Sequence, residues 1–169
     1  MNTTATPPVM TQANLVYASF GARLGAWLID VIIIGCVQFV VVAPIMTFLG
    51  LGVASQVQDG EITEEAALGM AGGIMAMVGS AMLVTLAITL LYFALMESSK
   101  SQATLGKMAL GIKVTDMDGN RLSFGKAFLR SIGKLVSSAI MYIGYLLAAF
   151  TEKKQALHDL IASTLVLKK

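Results

Sequence analysis

Two long stretches of the chain carry almost no polar side chains, and they govern the reading of the rest. Residues 24–49 hold one formal charge, Asp30, in 26 positions, and residues 66–96 hold none in 31. Each exceeds the ~20 apolar residues that an α-helix needs to cross a hydrocarbon core about 30 Å thick. The pattern predicts two transmembrane helices over these ranges. A third apolar stretch, residues 132–150, has 19 positions and contains Lys134. Lys126, Arg130 and Lys134 recur at four-residue steps, so they form one stripe along a helix from about Phe124 to Ser137. Phe128, Leu129, Ile132, Leu135 and Val136 sit largely away from that stripe, which is the pattern of an amphipathic helix lying in the membrane interface. Only about residues 139–150 are then fully apolar, a length that suits a re-entrant or half-crossing segment better than a span.

Shorter signals fill the gaps. Thr63 is placed to cap a helix whose first turn holds Glu64 and Glu65, where the helix dipole favours negative charge. Residues 112–123 read as a short hairpin turning at Asp118-Gly119, and Thr164 to Leu167 offers a further strand beside it. The first 22 residues contain no Lys or Arg and no apolar run, so a cleaved signal peptide is not expected; Thr3, Thr4, Thr6, Pro7 and Pro8 suggest a frayed tail. The expected fold is an all-α membrane protein with a small cytoplasmic β-hairpin, forming a single domain over 1–169. Between and after the two spans lie an outside acidic loop at 50–65, a cytoplasmic segment at 97–123, the third apolar region at 124–150 and a tail at 151–169.

Charge sets the orientation. Asp59, Glu61, Glu64 and Glu65 lie in the loop between the spans without any Lys or Arg, whereas residues 97–134 carry seven cations. Excess Lys and Arg marks the cytoplasmic side. The amino terminus is therefore expected inside and the acidic loop outside. Lys153, Lys154, Lys168 and Lys169 favour a cytoplasmic carboxyl terminus as well, against a full third crossing. This describes a multi-pass inner-membrane protein whose basic inner face meets anionic lipid headgroups.

Composition narrows the chemistry. With 56% apolar and 13% charged residues in 169 positions, the chain has about half the charge of an ordinary soluble domain. A net charge of +2 does not suggest a nucleic-acid binder. One cysteine, Cys36, excludes an internal disulfide, and one histidine, His158, excludes any site needing two imidazoles. No cofactor, metal or enzymatic activity is expected. Gly106-Lys107 lacks the upstream glycine and the following Ser or Thr of a P-loop, and no G-x-S-x-G elbow occurs. The eleven methionines show no metal-ligand spacing.

Asp30 is the most informative residue, because a carboxylate inside a span is costly unless paired or hydrated. Arg23 lies seven residues earlier on nearly the same helix face, about 10.5 Å away along the axis, too far for a simple local pair. Asp30 reads either as an ion or proton site or as a structural hydrogen-bond acceptor, with Arg23 as an interfacial anchor. Gln38 reads as a hydrogen-bonding tie between helices. Gly69, Gly73, Ala76 and Ser80 belong to a small-residue stripe that reads as helix packing, within the subunit or across a dimer.

Three blocks taken together resemble the RDD family of membrane proteins. Residues 20–30, FGARLGAWLID, resemble its opening helix and match its first two signature residues at Arg23 and Asp30. Residues 103–114, ATLGKMALGIKV, with Asp118-Gly119 and Arg130, resemble its central block, which contains Lys107. Residues 155–166, QALHDLIASTLV, resemble its closing block and place the second aspartate at Asp159, next to His158; Ser163 stands where glycine is more usual. The resemblance implies an Arg23–Asp30–Asp159 cluster at the inner face and a role in transport, with some members linked to exchange of small monovalent cations for protons. Other members resemble companions of larger membrane complexes. Two functions are therefore expected in competition. One is a proton/cation exchanger with Asp30 as titrating ligand, which needs a homo-oligomer or a larger membrane partner to enclose a path. The other is a non-enzymatic scaffold or assembly subunit in which the cluster only locks helices together.

Overall fold

The computed structural model describes residues 15–54, 63–139 and 143–169. The expected frayed amino-terminal tail lies outside these residues, as does most of the acidic loop, with Asp59 and Glu61. Two long helices come first, α1 (Phe20–Ala54) and α2 (Glu64–Ser98). Both are long and apolar enough to cross a membrane. They overrun the apolar ranges at their ends, because hydropathy marks the part that sits in hydrocarbon and the helix continues beyond it. Ala66 N–H donates to the Thr63 hydroxyl, the expected cap of α2. Most large apolar side chains on both helices, among them Phe39, Phe48, Met75 and Leu83, are exposed. Such surface is stable against lipid or against the apolar face of another protein.

After α2 the chain builds a small head from α3 (Leu105–Ala109), β1 (Ile112–Asp116), α4 (Phe124–Ala139), α5 (Ile143–Phe150), α6 (Leu157–Ile161) and β2 (Thr164–Lys168). The chain falls into two compact units. One holds the segments up to Asp30 and from Tyr92 onward, and the other is Val31–Leu91. In the first, Ala18, Ala26, Ile112, Val114, Leu122, Ala127 and Val166 form the apolar core. In the second, Gln38 Nε2 donates to Thr89 Oγ1 at 3.2 Å and tightens α1 against α2, as its position in a span predicts.

The expected hairpin is corrected. Residues 117–123 turn at Gly119, whose φ of +84° suits glycine, but they form no returning strand. Asp116 Oδ1 instead accepts from the amides of Asp118 and Asn120 and closes a tight loop. Leu122 then drops into the core and Ser123 caps α4. The partner of β1 is β2, antiparallel, with Val114 opposite Val166. Residues 16–18 lie along the other side of β2. Ala18 N–H donates to Val166 O, and Lys168 N–H donates to Val16 O, each at 2.9 Å.

The basic stripe of α4 differs from the expectation of a face turned to lipid headgroups. Arg130 is buried and Lys134 half-buried in the head, with only Lys126 of the basic stripe exposed. Phe124, Leu129, Ile132, Leu135 and Val136 face outward. The apolar face is outward, as an amphipathic helix of this pattern can have it, while the carboxylates of Glu97 and Asp159 draw Arg130 and Lys134 inward. The axes of α4 and α5 differ by 106°.

Candidate functional site: a buried cluster of ion pairs

Three of the elements that meet at Asp30 were legible only as separate motifs. Asp30, on α1, is 1% exposed. Its Oδ1 accepts from the Tyr92 hydroxyl and from Gly106 N–H, both at 2.8 Å, and its Oδ2 accepts from the Thr104 hydroxyl at 2.5 Å. Thr104 caps α3, and Tyr92 OH accepts in turn from Leu105 N–H at 3.1 Å. The first turn of α3 is thus held on the carboxylate by neutral donors. Gly106 is required for that approach, since a Cβ there would lie 2.1 Å from the carbonyl oxygen of Ala26 and 3.0 Å from Asp30 Cγ. Both oxygens of Asp30 are engaged by neutral donors, and its partners are not arginines.

The ion pairs lie around Asp159 and Glu97, each 0% exposed. Asp159 sits in the first turn of α6, where Oδ2 accepts from Ala156 N–H at 3.1 Å. The same oxygen accepts from Arg23 Nη1, joining α1 to α6. Oδ1 takes Arg130 Nε at 2.8 Å and Nη2 at 2.5 Å. Arg130 Nη1 continues to Glu97 Oε2 at 2.5 Å. Glu97 Oε1 accepts from Lys107 Nζ at 2.6 Å and from Lys134 Nζ at 2.9 Å. Lys134 also stands over the Phe93 ring, 3.5 Å from its centroid. One continuous network therefore binds α1, α2, α3, α4 and α6, with Arg130 as its hub.

Burial and charge pull against each other here. Burial alone would raise the Asp159 carboxyl, but the guanidinium groups of Arg130 and Arg23 outweigh it and hold that carboxyl well below the usual range. Burial lowers Lys107 more than Glu97 raises it. His158, packed at 5.0 Å against the Tyr145 ring, is driven well below its usual value by burial and stays neutral. Its Nε2 lies 3.6 Å from Asp159 Oδ1, beyond hydrogen-bond range. Gly133 lets α4 close on α6, where an added Cβ would meet His158 Cα and Cβ at 3.1 Å.

Of the residues singled out in the sequence, Arg23, Asp159, Arg130 and Lys107 come together in this network, with His158 beside it. Asp30 lies in the same unit on separate partners. Gln38 is in the other unit. Gly69 and Ala76 are exposed on α2, and Gly73 and Ser80 half-buried, with the Ser80 hydroxyl donating to Met77 O. The residue that sequence reasoning passed over is Glu97. It ends the charge-free run of 66–96, so it reads as a boundary, yet a lone carboxylate at the end of a span needs partners just as Asp30 does. Tyr92 and Thr104 carried no signal of their own.

The model of the RDD family matches residues 17–163. The uncharacterized membrane protein YteJ of Bacillus subtilis (strain 168) is 32% identical over 152 residues, covering 89% of this chain and 80% of that protein. The uncharacterized protein YxaI of the same organism is 44% identical over 88 residues, covering 52% of this chain and 58% of its own length. No solved structure matches the chain.

Proposed function

The chain belongs to the RDD family, and on that premise we propose that it is a non-enzymatic membrane scaffold, an assembly subunit of a larger membrane complex. One observation carries the reading: both oxygens of Asp30 are occupied by Tyr92, Thr104 and Gly106, and the side chain is 1% exposed. A titrating transport ligand needs a wetted approach and room for a cation among its oxygens. The ion-pair network supports the same reading, because its groups are spent on joining five helices to one another. In this role the long lipid-facing helices hold the head at the membrane and leave large apolar faces for neighbouring subunits, a second copy among them. The amino and carboxyl ends of the fold then lie on the same, cytoplasmic side of an inner membrane. Support for this comes from the pairing of residues 16–18 with β2, together with the cation excess after α2.

Exchange of protons for monovalent cations is the competing reading, and flux separates the two. Purified protein in liposomes is expected to give no alkali-cation-dependent proton flux above protein-free vesicles. Asp30→Asn is expected to fold, since its amide oxygen keeps the Tyr92 and Gly106 donors and its NH2 can donate to Thr104 Oγ1. Flux by the wild-type protein that a folded Asp30→Asn variant loses would overturn the scaffold reading.

A further inference from the structure

The ion-paired network holds four cations, Arg23, Lys107, Arg130 and Lys134, against two carboxylates, Glu97 and Asp159. Adding Asp30, which is satisfied by neutral donors, still leaves four cations to three carboxylates. Positive charge in excess and largely withdrawn from water is relieved by a counter-anion or by a lysine that loses its proton, and the guanidinium of Arg23 has only the first route. Arg23 indicates where an anion fits. Its Nη1 is taken by Asp159, but Nε and Nη2 are buried and have no hydrogen-bond partner among the described residues. Those two nitrogens form the side-on edge of the guanidinium, the fork whose parallel N–H groups match two oxygens of a phosphate or carboxylate. The Arg130 side chain, by contrast, spends all three nitrogens on Glu97 and Asp159.

Position favours an oxyanion from the membrane surface. The Arg23 side chain is 12% exposed where Arg130 is 1%, so Arg23 stands at the rim of the network. The apolar helix beginning at Phe20 runs 33 residues, about 50 Å at 1.5 Å per residue, against a bilayer about 40–45 Å thick with its headgroups. Arg23, in the first turn, therefore stands at headgroup depth, with the charge network behind it.

We propose that the free Nε–Nη2 fork of Arg23 binds one phosphate-type oxyanion, with a phospholipid headgroup as its source, and that the uncompensated charge of the network holds it there. The site is independent of whether the protein acts as a scaffold or moves ions. The test uses the full-length protein, delipidated in a neutral detergent. It is titrated separately with dioleoylphosphatidylglycerol, with dioleoylglycerol, which has the same chains and no phosphate, and with inorganic phosphate. Thermal stability and native mass spectrometry read the outcome.

One phosphatidylglycerol per chain with a raised Tm is expected, without a comparable effect of dioleoylglycerol. Arg23→Lys keeps a cation for Asp159 but removes the fork, and should weaken the lipid at least about tenfold. Lys126→Gln, at an exposed cation outside the network, should leave it unchanged. Inorganic phosphate that binds with the same Arg23→Lys loss supports the oxyanion site and reassigns its source to free anion. Should Arg23→Lys fail to fold, Lys134→Gln serves instead, with weakened binding expected from the lost positive charge and unchanged binding overturning the proposal. Equal stabilisation by dioleoylglycerol, an Arg23→Lys variant that binds like wild type, an equal loss in Lys126→Gln, or no binding of either phosphate source would overturn it too.

Discussion

Arg23 donates to Asp159, 136 positions along the chain, while Asp30, seven positions away on the same helix, is filled by Tyr92, Thr104 and Gly106. The two signature residues of α1 thus serve different joints. Arg23 fastens α6 to α1, and Asp30 fastens α3 to it.

Removing Arg23 should therefore be felt at Asp159. In Arg23→Ala the buried Asp159 Oδ2 keeps only the Ala156 amide while Oδ1 keeps Arg130, and the loss of one charged hydrogen bond there costs about 1.5–3 kcal/mol. Lys126→Ala, at an exposed position, should stay within about 0.5 kcal/mol of wild type. Thermal melts of the two variants in the same detergent check the contrast, and equal melts would reduce Arg23 to a surface anchor.

At Gly106 the test is steric. A Cβ would sit 2.1 Å from a backbone oxygen of α1, so α3 must lift away and the Asp30 donors with it. Gly106→Ala should lose about 3 kcal/mol or more. Gly72→Ala, with nothing within 4 Å, should lose no stability. Folded yield and Tm after purification report both.

Acid should loosen the head in two steps of the same sign. His158 has a folded pKa well below its usual 6.5, so below that pH the unfolded chain binds a proton that the folded one excludes. Stability is full above 6.5 and falls by about 1.4 kcal/mol per pH unit beneath it. Asp159 is depressed below its usual 3.8, so its contribution is present above that value and is lost as pH falls further, through the folded pKa. Denaturant titrations from pH 8 to pH 4 should show the first step, and His158→Phe should abolish it. A flat profile for wild type would mean that His158 is not sealed.

Topology gives a cellular test. A cysteine at Lys169, in a Cys36→Ser background, should resist membrane-impermeant maleimide in intact cells and react after permeabilisation. Labelling in intact cells would place β2 outside and break its pairing with β1 across the membrane.

The two spans were legible because a run without charge has few other uses at that length. The β1–β2 pairing was legible in part, since Thr164 to Leu167 is an apolar strand with nowhere else to go. The hairpin was not, because a turn sequence such as Asp118-Gly119 specifies a reversal and leaves the conformation of the next residues open. The family blocks placed Arg23 with Asp159 and grouped Asp30 with them, whereas Asp30 has partners of its own; Arg130 was legible only as a supporting residue, and Glu97 was lost at a segment edge. The two faces of α4 were legible from their spacing, but the burial of Arg130 was not, because a stripe of cations reads as solvated until the carboxylates that meet it are located.

The pairing of residues 16–18 with β2 bears on biogenesis. The strand beside the entry to the first membrane helix is supplied by Thr164–Lys168, and Asp159 is supplied only shortly before it. During synthesis both long helices can be delivered to the bilayer while Arg23 and Arg130 still lack their shared carboxylate. The head cannot lock until residues 159–168 have left the ribosome. Its maturation is a closure between segments more than 130 residues apart, and a product cut short before Asp159 would carry inserted helices without that fastening.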